Sequence, residues 1–124
     1  MKQQSLITAL GLRRAAFGLI GYLDPPTIAR LGPLPGLDTS DGADMTRHWA
    51  VSDGAIGVLT LIPTTRRPGL LLGVIVDSGD ALTGIIAARD GSSQRVAATT
   101  VGGAGAFAVA GLATLCRPTD HTLD

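Results

Sequence analysis

The chain has 124 residues, enough for one domain, and its ten Lys+Arg are balanced by ten acids, all of them Asp. Zero net charge leaves no bulk field to gather nucleic acid, and the single Cys116 excludes an internal disulfide and a cysteine-based zinc site. Charged residues make up only 16% and aromatics 3%, glycine occurs 17 times and the mean hydropathy is +0.34, a composition that suits helices packed closely in lipid better than a soluble core.

Four apolar segments are predicted in chain order. The first, residues 5–23, opens with Ser5 as a possible N-cap and stops at Pro25-Pro26. It follows Lys2 and lacks a small-residue cleavage site, so it is expected to be a first helix and not a signal peptide. A long connection follows. Asp24-Pro25-Pro26-Thr27 is a good start for a short helix through Leu31, and Gly32 to Asp44 reads as turn-rich. The second segment spans 46–62 and ends at Pro63, the third spans 68–88 with Pro68 in its first turn, and the fourth spans 94–116 and ends before Pro118. A bilayer-spanning helix needs roughly 17–25 residues, which all four reach. With short connections at residues 64–67 and 90–93, the expected fold is all-α: a four-helix up-down transmembrane bundle with a short interfacial helix in its first loop.

Orientation follows from Lys and Arg near the helix ends. The end holding both termini carries Lys2, Arg66, Arg67 and Arg117; the other carries Arg30, Arg47, Arg89 and Arg95. This is a tie unless Arg13 and Arg14 reach toward the N-terminal side. With the acidic loop outside, the expectation is a multi-pass protein of the inner (plasma) membrane with both termini cytoplasmic.

Charged groups inside such segments need a reason to be there. On the third segment Gly73, Asp77, Asp80 and Gly84 fall within about 60° of one another and should face the bundle interior. Leu71, Val74, Ile75, Leu82, Ile85 and Ile86 fall on the opposite surface, which suits lipid. Asp53 shares a face with Trp49, Ile56 and Thr60, and Arg14 with Gly18 and Gly21. The inward set is therefore Arg14, Asp53, Asp77 and Asp80, with Arg13 nearby. It is either an ion-pair lock between helices or a site of binding or reaction; ion pairs of both kinds look alike in a sequence. Three carboxylates do not easily all ionise beside one or two cations, and a proton held on Asp77 or Asp80 would suit a general acid or a proton-coupled carrier. Asp53, Asp77 and Asp80 are thus the candidate catalytic groups, and Arg13, Arg14, His48 and Trp49 the candidate binding groups. Arg47-His48-Trp49 also sits where a helix would enter a membrane. Gly69 and Gly73 form a GxxxG pair, which 17 glycines produce readily by chance. His121 and Cys116 are expected to be inert. Asp77-Ser78-Gly79-Asp80 lacks the glycine after the second Asp and the two further Asp on the next helix that a CDP-alcohol phosphotransferase would carry. No metal and no cofactor are expected.

Three stretches resemble a family of small four-helix bacterial, actinobacterial-type integral membrane proteins of uncharacterised function. They are Arg13-Arg14-Ala15-Ala16-Phe17-Gly18 leading to Pro25, the run from Arg47 through Asp53 to Gly57, and Asp77-Ser78-Gly79-Asp80-Ala81. In that family an Arg followed by an acid opens the second helix and an Asp lies in the third; here Arg47 and Asp53 stand further apart. The resemblance implies the fold and no activity. The functional expectation is an accessory subunit or small-molecule carrier, in a homo-oligomer or larger membrane complex. The alternative is an intramembrane isomerase or cyclase using Asp acid–base chemistry on a lipophilic, polyketide- or terpenoid-like molecule. A soluble helical bundle is the remaining reading, because glycines and charges interrupt every apolar segment.

Overall fold

The computed structural model describes residues 3–32, 36–91 and 94–117. Among them are five helices and no strand: α1 Gln3–Leu23, α2 Pro25–Leu31, α3 Ser40–Leu61, α4 Arg66–Arg89 and α5 Gln94–Cys116. Pro33–Pro35, the Ser92–Ser93 connection and His121 lie outside the described residues.

Local chemistry explains the boundaries. The short α2 starts on Pro25 and Pro26, whose missing N–H groups cost nothing in a first helical turn. Asp24 holds the turn by accepting from the Thr27 hydroxyl at 2.5 Å. Helix α3 begins at Ser40, well before the expected Thr46, because Thr39 caps it: its Oγ1 accepts from the Gly42 N–H at 3.1 Å and donates to the Gly36 carbonyl at 2.6 Å. Gly36, at φ 85, supplies the left-handed turn that brings those groups together. Asp41 lies in the first turn, where the helix dipole favours an acid. Ser5 lies inside α1 and is not its cap.

Contacts along the helices alternate in direction. Gly11 and Gly18 of α1 meet Leu61 and Gly54 of α3, Gly69 and Gly73 of α4 meet Thr60 and Ile56 of α3, and Gly84 and Gly111 join α4 to α5 through Val101 and Val74. The long helices therefore run up, down, up, down. The broad contacts are α1 with α3 and α4 with α5; α3 with α4 is narrower, and α1 with α5 narrower still. Gly69 and Gly73, a pair expected by chance, prove to be the surface by which α4 approaches α3. A Cβ on Gly69 would stand 2.7 Å from the Thr60 nitrogen. At Gly57 it would stand 2.5 Å from the Ala15 nitrogen, so glycine is required for this approach of α3 to α1.

The interior is small and polar. Its buried apolar side chains are Ile7, Leu37, Ala50, Ile56 and Leu70; buried beside them are Arg14, Thr46, Thr60, Asp77 and Thr114. The three threonines donate back to carbonyls of their own helices, Gly42, Ile56 and Gly111, and are thereby satisfied. Large aliphatics point outward instead, among them Leu12, Leu19, Leu71, Ile75, Leu82, Ile86 and Val109. Val74 departs from its expected lipid-facing place: it packs against Gly111 of α5.

Two helices, Gln3–Leu23 and Arg66–Arg89, are long and apolar enough to cross a membrane, and Thr100–Cys116 is a shorter apolar stretch. Helix α3 is not among them, because Asp41, Asp44, Arg47 and Asp53 interrupt it. Its register gives that a physical meaning. Gly21, near the end of α1, lies against Ala50 and Thr46, so the polar turns of α3 before Thr46 overhang the end of α1 and reach α2.

Candidate functional site

Glycines let α1, α3 and α4 come close enough for one arginine to reach two helices. Arg14 lies on the face of α1 that bears Gly11 and Gly18, and those glycines draw α1 onto α3. Gly73 leaves room on α4, where an added Cβ would stand 3.4 Å from the Arg14 guanidinium. One terminal nitrogen of Arg14, Nη1, donates to Asp53 Oδ1 on α3, and the other, Nη2, donates to Asp77 Oδ2 on α4. Arg14 and Asp77 are 7% and 6% exposed, and the Asp53 side chain is 29% exposed at the edge of the same group. The fork geometry of a guanidinium suits this double contact; a lysine has no such pair of coplanar donors.

The residues fall near the middle of α1 and α4, as the sequence suggested, and Arg14, Asp53 and Asp77 do come together. Two members of the expected set stand elsewhere. Asp80 is exposed, without a hydrogen bond or ion pair among the described residues. Its position on the wheel matches Gly73 and Gly84, yet wheel angle alone does not decide burial here. Helix α4 meets α3 near Gly69 and Gly73 and meets α5 near Gly84, and Asp80 falls outside both contacts. Arg13 is also exposed, and its guanidinium lies 3.9 Å from the centre of the Phe107 ring of α5. Arg14 does not reach toward a helix end, because both its terminal nitrogens are held in the core. His48 and Trp49 are exposed on α3, apart from the Arg14 pairs.

Phe107 was missed from the sequence, whereas Thr60 was placed on the face of Asp53. Phe107 covers Arg13 and stands 5.8 Å from the Arg14 guanidinium, a cation–π arrangement that closes the thin α1–α5 seam. As the lone aromatic of the fourth segment it was a usable signal. Beside the cluster lies a cavity of about 10 Å³ bounded by Arg14, Thr60, Gly73, Asp77 and Phe107, room for one water molecule. Among the described residues no buried side-chain nitrogen or oxygen lacks a partner, and no group of three His, Cys or Asp side chains is placed to hold a metal ion.

Comparison of the chain with protein-family models, with curated proteins and with solved structures finds no match.

Proposed function

We propose that the chain is a small multi-pass protein of the inner (plasma) membrane, an accessory subunit whose Arg14–Asp53–Asp77 group locks helix register. The observation that carries this reading is the inverted distribution of side chains. Arginine, aspartate, threonine and glycine line the helix contacts, while Leu12, Leu71, Ile75, Leu82, Ile86 and Val109 face outward. In water such an outward surface is unfavourable, and in lipid it is the expected one, with small residues allowing close packing and Arg14 and Asp77 kept inside.

The spanning part of α3 would begin near Thr46, with the polar turns before it and the short α2 at the membrane surface. Gln3 donates to the Thr114 carbonyl at 2.9 Å, and Arg66 to the Gln4 side chain at 3.1 Å, so α1 starts at the end of the molecule where α5 finishes. That end carries Arg66, Arg67 and Arg117, and the opposite end, beside the Asp-rich connection before α3, carries Arg30, Arg47 and Arg89, so the arginines balance and set no orientation.

At the Arg14 group the lock is favoured over chemistry on a lipophilic molecule by the space available there. Both terminal nitrogens of Arg14 are already used, and the adjoining 10 Å³ cavity is far below the ~300–1,000 Å³ of a typical small-molecule site. Two measurements test the proposal together. The wild type should stay with membranes through an alkaline wash. Asp77→Asn should lower the melting temperature in detergent. Recovery of folded wild type in aqueous buffer would overturn the membrane reading, and an Asp77→Asn variant as stable as wild type would overturn the lock.

A further inference from the structure

The two narrow seams of the fold, α3–α4 and α1–α5, lie on opposite sides, because the broad contacts are α1–α3 and α4–α5. Each leaves one charge turned outward. Beside the first is Asp80, exposed and without a partner among the described residues; a Cβ on its neighbour Gly79 would meet nothing within 4 Å. Beside the second is Arg13, exposed across the Phe107 ring, with Gly103 similarly uncovered. In a helix that spans a bilayer, an outward carboxylate near mid-height is costly unless a cation meets it.

We propose that a second copy of this chain supplies that cation: Arg13 of one copy meets Asp80 of the next, with the α1–α5 seam of one against the α3–α4 seam of the other. The proposal rests on the membrane reading above. Depth agrees with it. Helices α1 and α4 run in the same direction, since Gln4 meets Arg66 and Arg14 meets Asp77. Arg13 is therefore level with about Val76, and Asp80 is about one helical turn, ~6 Å, further along. Copies related by rotation about the membrane normal keep their depths, and an arginine side chain can cover the difference. Because the two seams face opposite ways, the contact is head-to-tail, each copy offering a different seam to each neighbour. Gly79 and Gly103 remove the side chains that would hold the helices apart.

The test is a charge exchange on the full chain in detergent, with mass measured by light scattering, helicity by circular dichroism and membrane retention by alkaline wash. Wild type should be oligomeric. Asp80→Asn, Asp80→Arg and Arg13→Asp should each weaken association about tenfold or more. The double variant Arg13→Asp/Asp80→Arg should restore it. If Arg13→Asp does not fold, Asp80→Asn and Asp80→Arg decide. A wild type that is retained by membranes yet monomeric overturns the inference and leaves the membrane reading standing. So does an oligomer whose mass Asp80→Asn leaves unchanged, or a folded double variant no better than its parents. A wild type released by the wash overturns the membrane reading itself.

Discussion

Replacing Arg14 by Met removes the cation that both Asp53 and Asp77 contact, and nearly preserves the side-chain volume. Two carboxylates then face each other across the α3–α4 contact, and the Asp77 side chain is buried. Breaking a buried ion pair by deleting one partner costs about 3–5 kcal/mol in water-soluble proteins, and Arg14→Met breaks two at once. Asp77→Asn is milder: the Asn oxygen still accepts from Nη2 and the Asp53 pair is untouched, so about 1–2 kcal/mol is expected. Asp53→Asn should cost least, because its side chain is partly exposed. The assay is thermal unfolding in detergent, followed by circular dichroism, on the three variants side by side. The expected order of loss is Arg14→Met, then Asp77→Asn, then Asp53→Asn. A triple variant, Arg14→Met with Asp53→Leu and Asp77→Leu, should recover much of the loss, since apolar groups of similar size can replace a complete buried network. The reasoning is refuted if Arg14→Met costs no more than Asp77→Asn, or if the triple variant is worse than Arg14→Met alone.

Other perturbations probe separate parts of the argument. Gly57→Val should disrupt the α1–α3 contact, since even a Cβ would stand 2.5 Å from the Ala15 nitrogen, whereas Gly102→Ala meets nothing and should stabilise α5 by up to about 1 kcal/mol; thermal melts of the pair give the comparison. Ile75→Lys, at a position 60% exposed, should lower membrane insertion by about 2.5–3.5 kcal/mol; an insertion assay showing no change would argue against lipid on that face. Phe107→Ala removes the ring under Arg13 and should destabilise by about 1–3 kcal/mol in denaturant titrations, loosening the α1–α5 seam first. Thr39→Ala should cost about 1 kcal/mol and fray α3 back toward Thr46, which amide exchange would reveal.

Helix existence was legible in the sequence, and the reasons are local. Pro25-Pro26, Pro63 and Pro118 punctuate apolar runs, and Pro68 can sit only near a helix start, so the number and order of helices needed no tertiary information. The meeting of Arg14, Asp53 and Asp77 could also be anticipated, because three charges near the middles of apolar segments leave few alternatives. Less accessible was the start of α3. A run of Asp, Gly and Ser reads as a turn until Thr39 is seen capping it with Gly36 folded behind.

Burial of the individual acids was decided only by the tertiary structure. Asp77 and Asp80 are almost equivalent on a helical wheel, and their spacing alone cannot separate them. What separates them is where glycines on three helices let backbones approach: Gly69 and Gly73 bring α3 to α4 beside Asp77, and Gly84 hands α4 to α5 beyond Asp80. The same physics made Phe107 a neighbour of two arginines far away in sequence. A chain so rich in glycine states which helices it will form. Where those helices touch depends on a few ångströms of backbone separation, which only the assembled fold determines.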